Sequence, residues 1–130
     1  MINSLNGTIY PINGDFMTLE VLNDLLKKLR NEKKWFKIMQ SSIEECERKN
    51  LSDVERERAI FDKAINKYAL LKKHLLEVMA TCLTDEEKDL MYTFYVHGKS
   101  LQYIILKNFI CRRTFFRQLR IAKEKIIANW

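Results

Sequence analysis

After its first fourteen residues this chain has almost nothing in it that would stop a helix. Gly7, Pro11 and Gly14 precede a stretch from Asp15 to His97 with neither glycine nor proline, and Gly98 is the only later one. Proline removes a backbone donor and glycine raises the entropy cost of order, so their absence favours long, uninterrupted helices. The expectation is an all-α protein. With 47% apolar residues, 130 residues suffice to close a core. Residues 1–17 form an N-terminal arm in which Asn6-Gly7 and Asn13-Gly14 bracket Thr8 to Ile12. That pattern fits a small hairpin and a loose arm alike.

Two apolar stripes follow. Leu22, Leu25, Leu29, Phe36, Met39, Ile43 and Cys46 fall at steps of three and four, interrupted only by Glu32. A polar break at Arg48, Lys49 and Asn50 leads to Ser52 and Glu55, which have capping-box spacing. Val54, Phe61, Ile65, Tyr68, Leu75, Met79 and Cys82 make the second stripe. Two long amphipathic helices, Thr18 to Glu47 and Ser52 to Cys82, are expected to fold back as an antiparallel hairpin over residues 18–82. Their narrow seams leave apolar surface for a partner or for a second copy in a homodimer. Lys27, Lys28, Lys33, Lys34 and Lys37 are interspersed with acidic neighbours and read as a mixed, solvated face.

Residues 83–130 are punctuated differently. Thr84 and Glu87 form a capping box, with Asp85 and Glu86 at the positive end of the helix dipole. Leu90, Met91, Phe94 and Tyr95 give that helix an apolar face, Gly98 ends it, and Ser100 caps a short helix bearing Leu101, Ile104 and Ile105. A turn near Asn108 precedes a third helix at about 111–127, with Phe115, Leu119, Ala122 and Ile126 on its inner face.

Charge picks out the same segment. The chain carries a net +6, yet from Gly98 onward eight basic residues face Glu124 alone, a net +7, while the rest is near neutral. Such asymmetry points to a polyanionic partner. Three helices with a basic third one fit a recognition helix in the DNA major groove. Arginine suits that place because its planar donors pair with guanine edges and also neutralise phosphates. Arg112, Arg113, Arg117 and Arg120 are the main candidates, with Thr114, Gln118 and Lys123 in support. Phe116 would touch a thymine methyl group if exposed and widen the core if buried.

Leu83-Thr84-Asp85-Glu86-Glu87, Tyr95-Val96-His97-Gly98-Lys99-Ser100-Leu101 and Ile110-Cys111-Arg112-Arg113-Thr114-Phe115 resemble region four of bacterial sigma factors. The arrangement is similar to phage late-gene transcriptional activators of the RinA and ArpU type. The resemblance implies a tri-helical, sigma-like helix-turn-helix, double-stranded promoter or operator DNA as ligand, and RNA polymerase as a partner. The family usually carries a small residue at Ile105, leucine at Asn108, glycine at Phe109 and serine at Cys111. Bulk at position 109 leads to the expectation that the Phe109 ring is buried between the second and third helices.

Other chemistries have little to stand on. Cys46, Cys82 and Cys111 are too far apart in sequence for a Cys-x-x-Cys pair and odd in number, so free thiols acting as small core residues are expected. His74 and His97 have no further ligands at helical spacing, and no nucleophile or phosphate loop is recognisable. No cofactor, metal site or enzyme activity is therefore expected. No apolar run spans a bilayer and no secretory signal is evident, so a cytoplasmic protein of the bacterial host cell is expected. The reading is a phage or mobile-element transcription regulator; the alternative is a helical module that binds or inhibits a partner such as RNA polymerase, its helix-turn-helix vestigial.

Overall fold

The computed structural model describes residues 17–49 and 54–130. The turn signals in the N-terminal arm and the Ser52 half of the expected capping box lie outside the described residues. The described residues form six α-helices and one π-helical turn, with no strand among them: α1 (Leu19–Arg30), α2 (Glu32–Arg48), α3 (Val54–Cys82), α4 (Asp85–Met91), the π turn Tyr92–Val96, α5 (Leu101–Asn108) and α6 (Arg112–Ala128). The protein is all-α. None of these helices is long and apolar enough to cross a membrane.

The first expected helix is broken in two. Thr18 caps α1, its hydroxyl accepting from the Val21 N–H at 3.2 Å, and Leu22, Leu25, Leu26 and Leu29 are buried on one side. At Asn31 the backbone leaves the helical region (φ −105°, ψ 20°), and the Asn31 amide donates back to the Lys27 carbonyl at 2.9 Å. A short polar side chain competing for backbone partners loosens a helix at that point. The break reassigns the stripe. The main neighbours of α1 are the π turn and α6, whereas α2 packs on α3. Apolar spacing groups α1 with the hairpin; the packing groups it with the C-terminal helices.

Cross-links fix the direction of α2 against α3. Glu32, at the start of α2, accepts from the Tyr68 hydroxyl at 2.8 Å and pairs with Lys72 at 2.8 Å. Glu47, at its end, pairs with Arg58 near the start of α3. The two helices therefore run antiparallel. Trp35, Phe36 and Tyr68 form an aromatic cluster with ring centroids 5.0–5.9 Å apart. Beyond it this end is thinly packed, since Ile43 is the one buried residue of α2 and Ile38 and Ile60 are exposed.

The second half of α3 belongs to the main core. Leu71, Leu75, Val78 and Met79 join the α1 leucines, Leu90 and Met91 of α4, Ile104 of α5 and the inner face of α6. His74 Nε2 donates to the Trp130 carbonyl at 2.8 Å, and the two rings meet edge to face at 4.4 Å. That pair fixes the end of the chain on α3. All three cysteines are free, but the expectation of small core residues fails for Cys111, which is exposed. Cys46 and Cys82 are half-buried.

Candidate nucleic-acid interface

The segment from Thr84 to Ala128 begins with the anticipated cap. The Thr84 N–H donates to Glu87 at 2.8 Å and the Glu87 N–H donates to the Thr84 hydroxyl at 3.2 Å. Lys125 of α6 reaches the same carboxylate at 2.8 Å, so the cap also ties α4 to α6. Burial works to raise the Glu87 pKa, but the Lys125 and Thr84 donors outweigh it and the net shift is downward.

Between α4 and α5 the chain widens into a π turn, with the His97 N–H donating to the Tyr92 carbonyl at 2.8 Å. Gly98 then takes φ +64°, and the Lys99 N–H closes on the Thr93 carbonyl at 3.1 Å. A left-handed residue is required there, which explains the glycine. The carbonyls freed by this geometry find a partner far away in sequence. Arg30, at the end of α1, donates to the Phe94 carbonyl and, at 3.0 Å, to the Lys99 carbonyl, with its guanidinium 4.2 Å above the Phe94 ring. No local pattern announces Arg30 as a structural pin; only a contact across 64 residues reveals it.

Ser100 caps α5 by accepting from the Tyr103 N–H at 3.1 Å, and the helix ends at Phe109 in a left-handed conformation (φ 54°, ψ 41°). Phe109 is 96% exposed, which overturns the expectation of a buried ring. Position 109 demands a left-handed backbone rather than a small side chain, which is the physical reason a glycine suits it. With φ 54° the ring stands out of the turn instead of packing between α5 and α6. Tyr103 and Leu106 of α5 are exposed as well.

Helix α6 then runs from Arg112 to Ala128 with Cys111 as its N-cap residue. Phe115, Leu119, Ala122 and Ile126 are buried, as the four-three-four spacing requires. At about 100° per residue, Arg113, Arg117 and Arg120 fall on the opposite side, and Arg112, Arg113, Arg117 and Arg120 are all exposed. Phe116 is exposed beside them, with the Arg112 guanidinium 5.5 Å from its ring centroid. The one carboxylate on this side, Glu124, meets Arg120 only at 3.9 Å in an exposed pair of little energetic weight. Five of the eight candidates, Arg112, Arg113, Phe116, Arg117 and Arg120, thus share solvent-facing surface.

The remaining three sit elsewhere. Thr114 is half-buried, its hydroxyl 3.2 Å from the Cys111 sulfur. Gln118 lines a cleft of about 470 Å³ with Asp85, Glu86 and Asp89, an acidic wall that repels phosphate. Lys123 is half-buried with its ammonium 5.9 Å from the Tyr95 ring centroid, and desolvation lowers its pKa. Burial pushes the Tyr95 hydroxyl up to about 12, partly opposed by Arg30, so this ring stays neutral.

The chain matches no known protein family, no curated protein and no solved structure. The chemistry of the surface is therefore the ground for its function. From Leu90 to Lys123 the sequence contains no Asp or Glu, so α5, the turn and most of α6 present cations without carboxylates of their own. Among the described residues no cluster of His, Cys, Asp and Glu has the makings of a metal site.

Proposed function

We propose that this protein binds double-stranded DNA sequence-specifically and regulates transcription, with α6 as the helix that enters the major groove. The observation that carries the proposal is the solvent-facing row Arg113, Arg117 and Arg120, directly opposite the buried stripe, with Arg112 and Phe116 beside its start. A helix that places its apolar face inward and three arginines outward can enter a groove about 12 Å wide without exposing core. Residues at its N-terminal end, Arg112, Arg113 and Phe116, meet base edges; Arg117 and Arg120 neutralise phosphates. The resemblance to sigma region four and to RinA- and ArpU-type activators supports the same ligand, with RNA polymerase as a second partner.

Fluorescence anisotropy with duplexes drawn from the protein's own genomic neighbourhood, in excess random competitor, tests the proposal. One fragment should bind preferentially, and Arg112→Gln or Arg113→Gln should cost about 1–3 kcal/mol on that fragment while narrowing its advantage. Affinity no greater than that of an unrelated protein of similar charge would defeat it. A second reading draws on the exposed Tyr103, Leu106 and Phe109, an apolar series suited to a protein partner. In that reading the folded chain binds purified RNA polymerase and not DNA.

A further inference from the structure

The break between α1 and α2 opens onto a cleft of about 530 Å³, walled by Arg30, Lys33, Lys34 and Lys72 on one side and by His97 and Gly98 on the other. In sequence its lysines are interspersed with carboxylates, and a self-compensating face is the natural reading. The structure sorts those charges otherwise. Glu32, the one acidic residue lining the cleft, is occupied by Tyr68 at 2.8 Å and by Lys72 at 2.8 and 3.1 Å. Asp24 is paired with Lys28, Glu45 with Lys49, and Glu47 with Arg58. Among the described residues, Lys33 and Lys34 have no carboxylate within ion-pairing distance, and both are exposed.

Arg30 adds a third positive charge, fixed in place by the Lys99 carbonyl at 3.0 Å. Lys33 and Lys34 stand next to each other in the first turn of α2, just beyond Arg30 at the end of α1. Like charges gathered around one cleft repel each other in the free protein, and an anion seated among them relieves the repulsion. The position of the cleft indicates which anion. His97 and Gly98 lead directly into Lys99 and Ser100, the capped start of α5, and in a helix-turn-helix the helix before the recognition helix crosses the DNA backbone.

We infer that this cleft holds a backbone phosphate of the duplex bound to α6, with Lys33 and Lys34 as its principal donors, so that the DNA footprint extends beyond the helix-turn-helix onto the α1–α2 elbow. The inference rests on the proposed function. A free phosphorylated ligand offers the same chemistry, and the experiment separates the two sources.

The test compares wild type with the full-length Lys33→Gln/Lys34→Gln variant on a long duplex of about 30 base pairs and on a short one trimmed to the α6 site. Because the two lysines have no ion-pair partner among the described residues, the variant should melt no lower than wild type, which excludes misfolding. On the long duplex its affinity should fall at least several-fold, and the log-log salt slope should become shallower by about 0.9, the value for the one phosphate no longer neutralised. On the short duplex the two proteins should bind alike. Equal affinity and slope on the long duplex would overturn the inference. So would amide shifts at Lys33, Lys34 and His97 on titrating inorganic pyrophosphate, if the variant's long-duplex binding were unchanged, since the ligand would then be a free phosphate. Wild-type protein that binds neither duplex would instead defeat the proposed function itself.

Discussion

Phe109 holds φ at 54° with its ring almost entirely in solvent, a conformation that costs a residue with a side chain about 1–2 kcal/mol. Replacing it should therefore help folding. Phe109→Gly is expected to raise stability by roughly 1 kcal/mol, and Phe109→Ala to leave it nearly unchanged, both read by thermal melting. A drop of about 3–5 kcal/mol for the alanine variant would instead signal a buried ring. The thiols make a second contrast at this scale. The Thr114 hydroxyl beside Cys111 lowers its pKa, whereas burial pushes the Cys82 thiol up. Because the thiolate is the reacting species, Cys111 should be alkylated by iodoacetamide well before Cys82 near neutral pH, as followed by mass spectrometry. Thr114→Val should slow the Cys111 reaction; equal rates at the two sites would contradict this placement.

Arg30 is the pin that makes α1 part of the C-terminal unit. Its charged hydrogen bonds and its stacking on Phe94 imply that Arg30→Ala costs roughly 2–3 kcal/mol, measurable by urea unfolding. Glu87 couples the α4 cap to α6, and its lowered pKa sets a sign. The stabilisation is fully present above the unfolded glutamate value of about 4.3 and is lost as pH falls through the lower folded value. Glu87→Gln should accordingly lower the melting point at neutral pH, with the difference from wild type shrinking in acid.

Elements governed by local rules are legible from sequence: the Thr84–Glu87 box, Gly98, the Ser100 cap and the inner face of α6 all stand where spacing puts them. What depends on distant partners is not. A continuous stripe from Leu22 to Cys46 conceals the break at Asn31, because helical spacing records which side is apolar but not which neighbour covers it. In and just after the π turn, the Phe94 and Lys99 carbonyls accept from Arg30 of another helix. Likewise, the arginines of α6 can be read as outward-facing, whereas the acidic wall beside Gln118 and the Tyr95 ring beside Lys123 come from other elements.

At the scale of the whole molecule, one core joins α1, the second half of α3 and the helices from α4 to α6, while α2 and the first half of α3 project as a thinner antiparallel pair. Net positive charge is confined to the last quarter of the chain, and the fold turns it outward along α6. If that face neutralises DNA phosphates, salt must compete with it directly. The decisive measurement is the salt dependence of duplex binding for wild type and for the Arg113→Gln/Arg117→Gln/Arg120→Gln variant. Affinity of the wild type should fall steeply with salt, and the variant's log-log slope should be shallower by about 1.8, at 0.9 for each of the two phosphates that Arg117 and Arg120 no longer neutralise. A folded variant with the wild-type slope would contradict a DNA-binding role for α6.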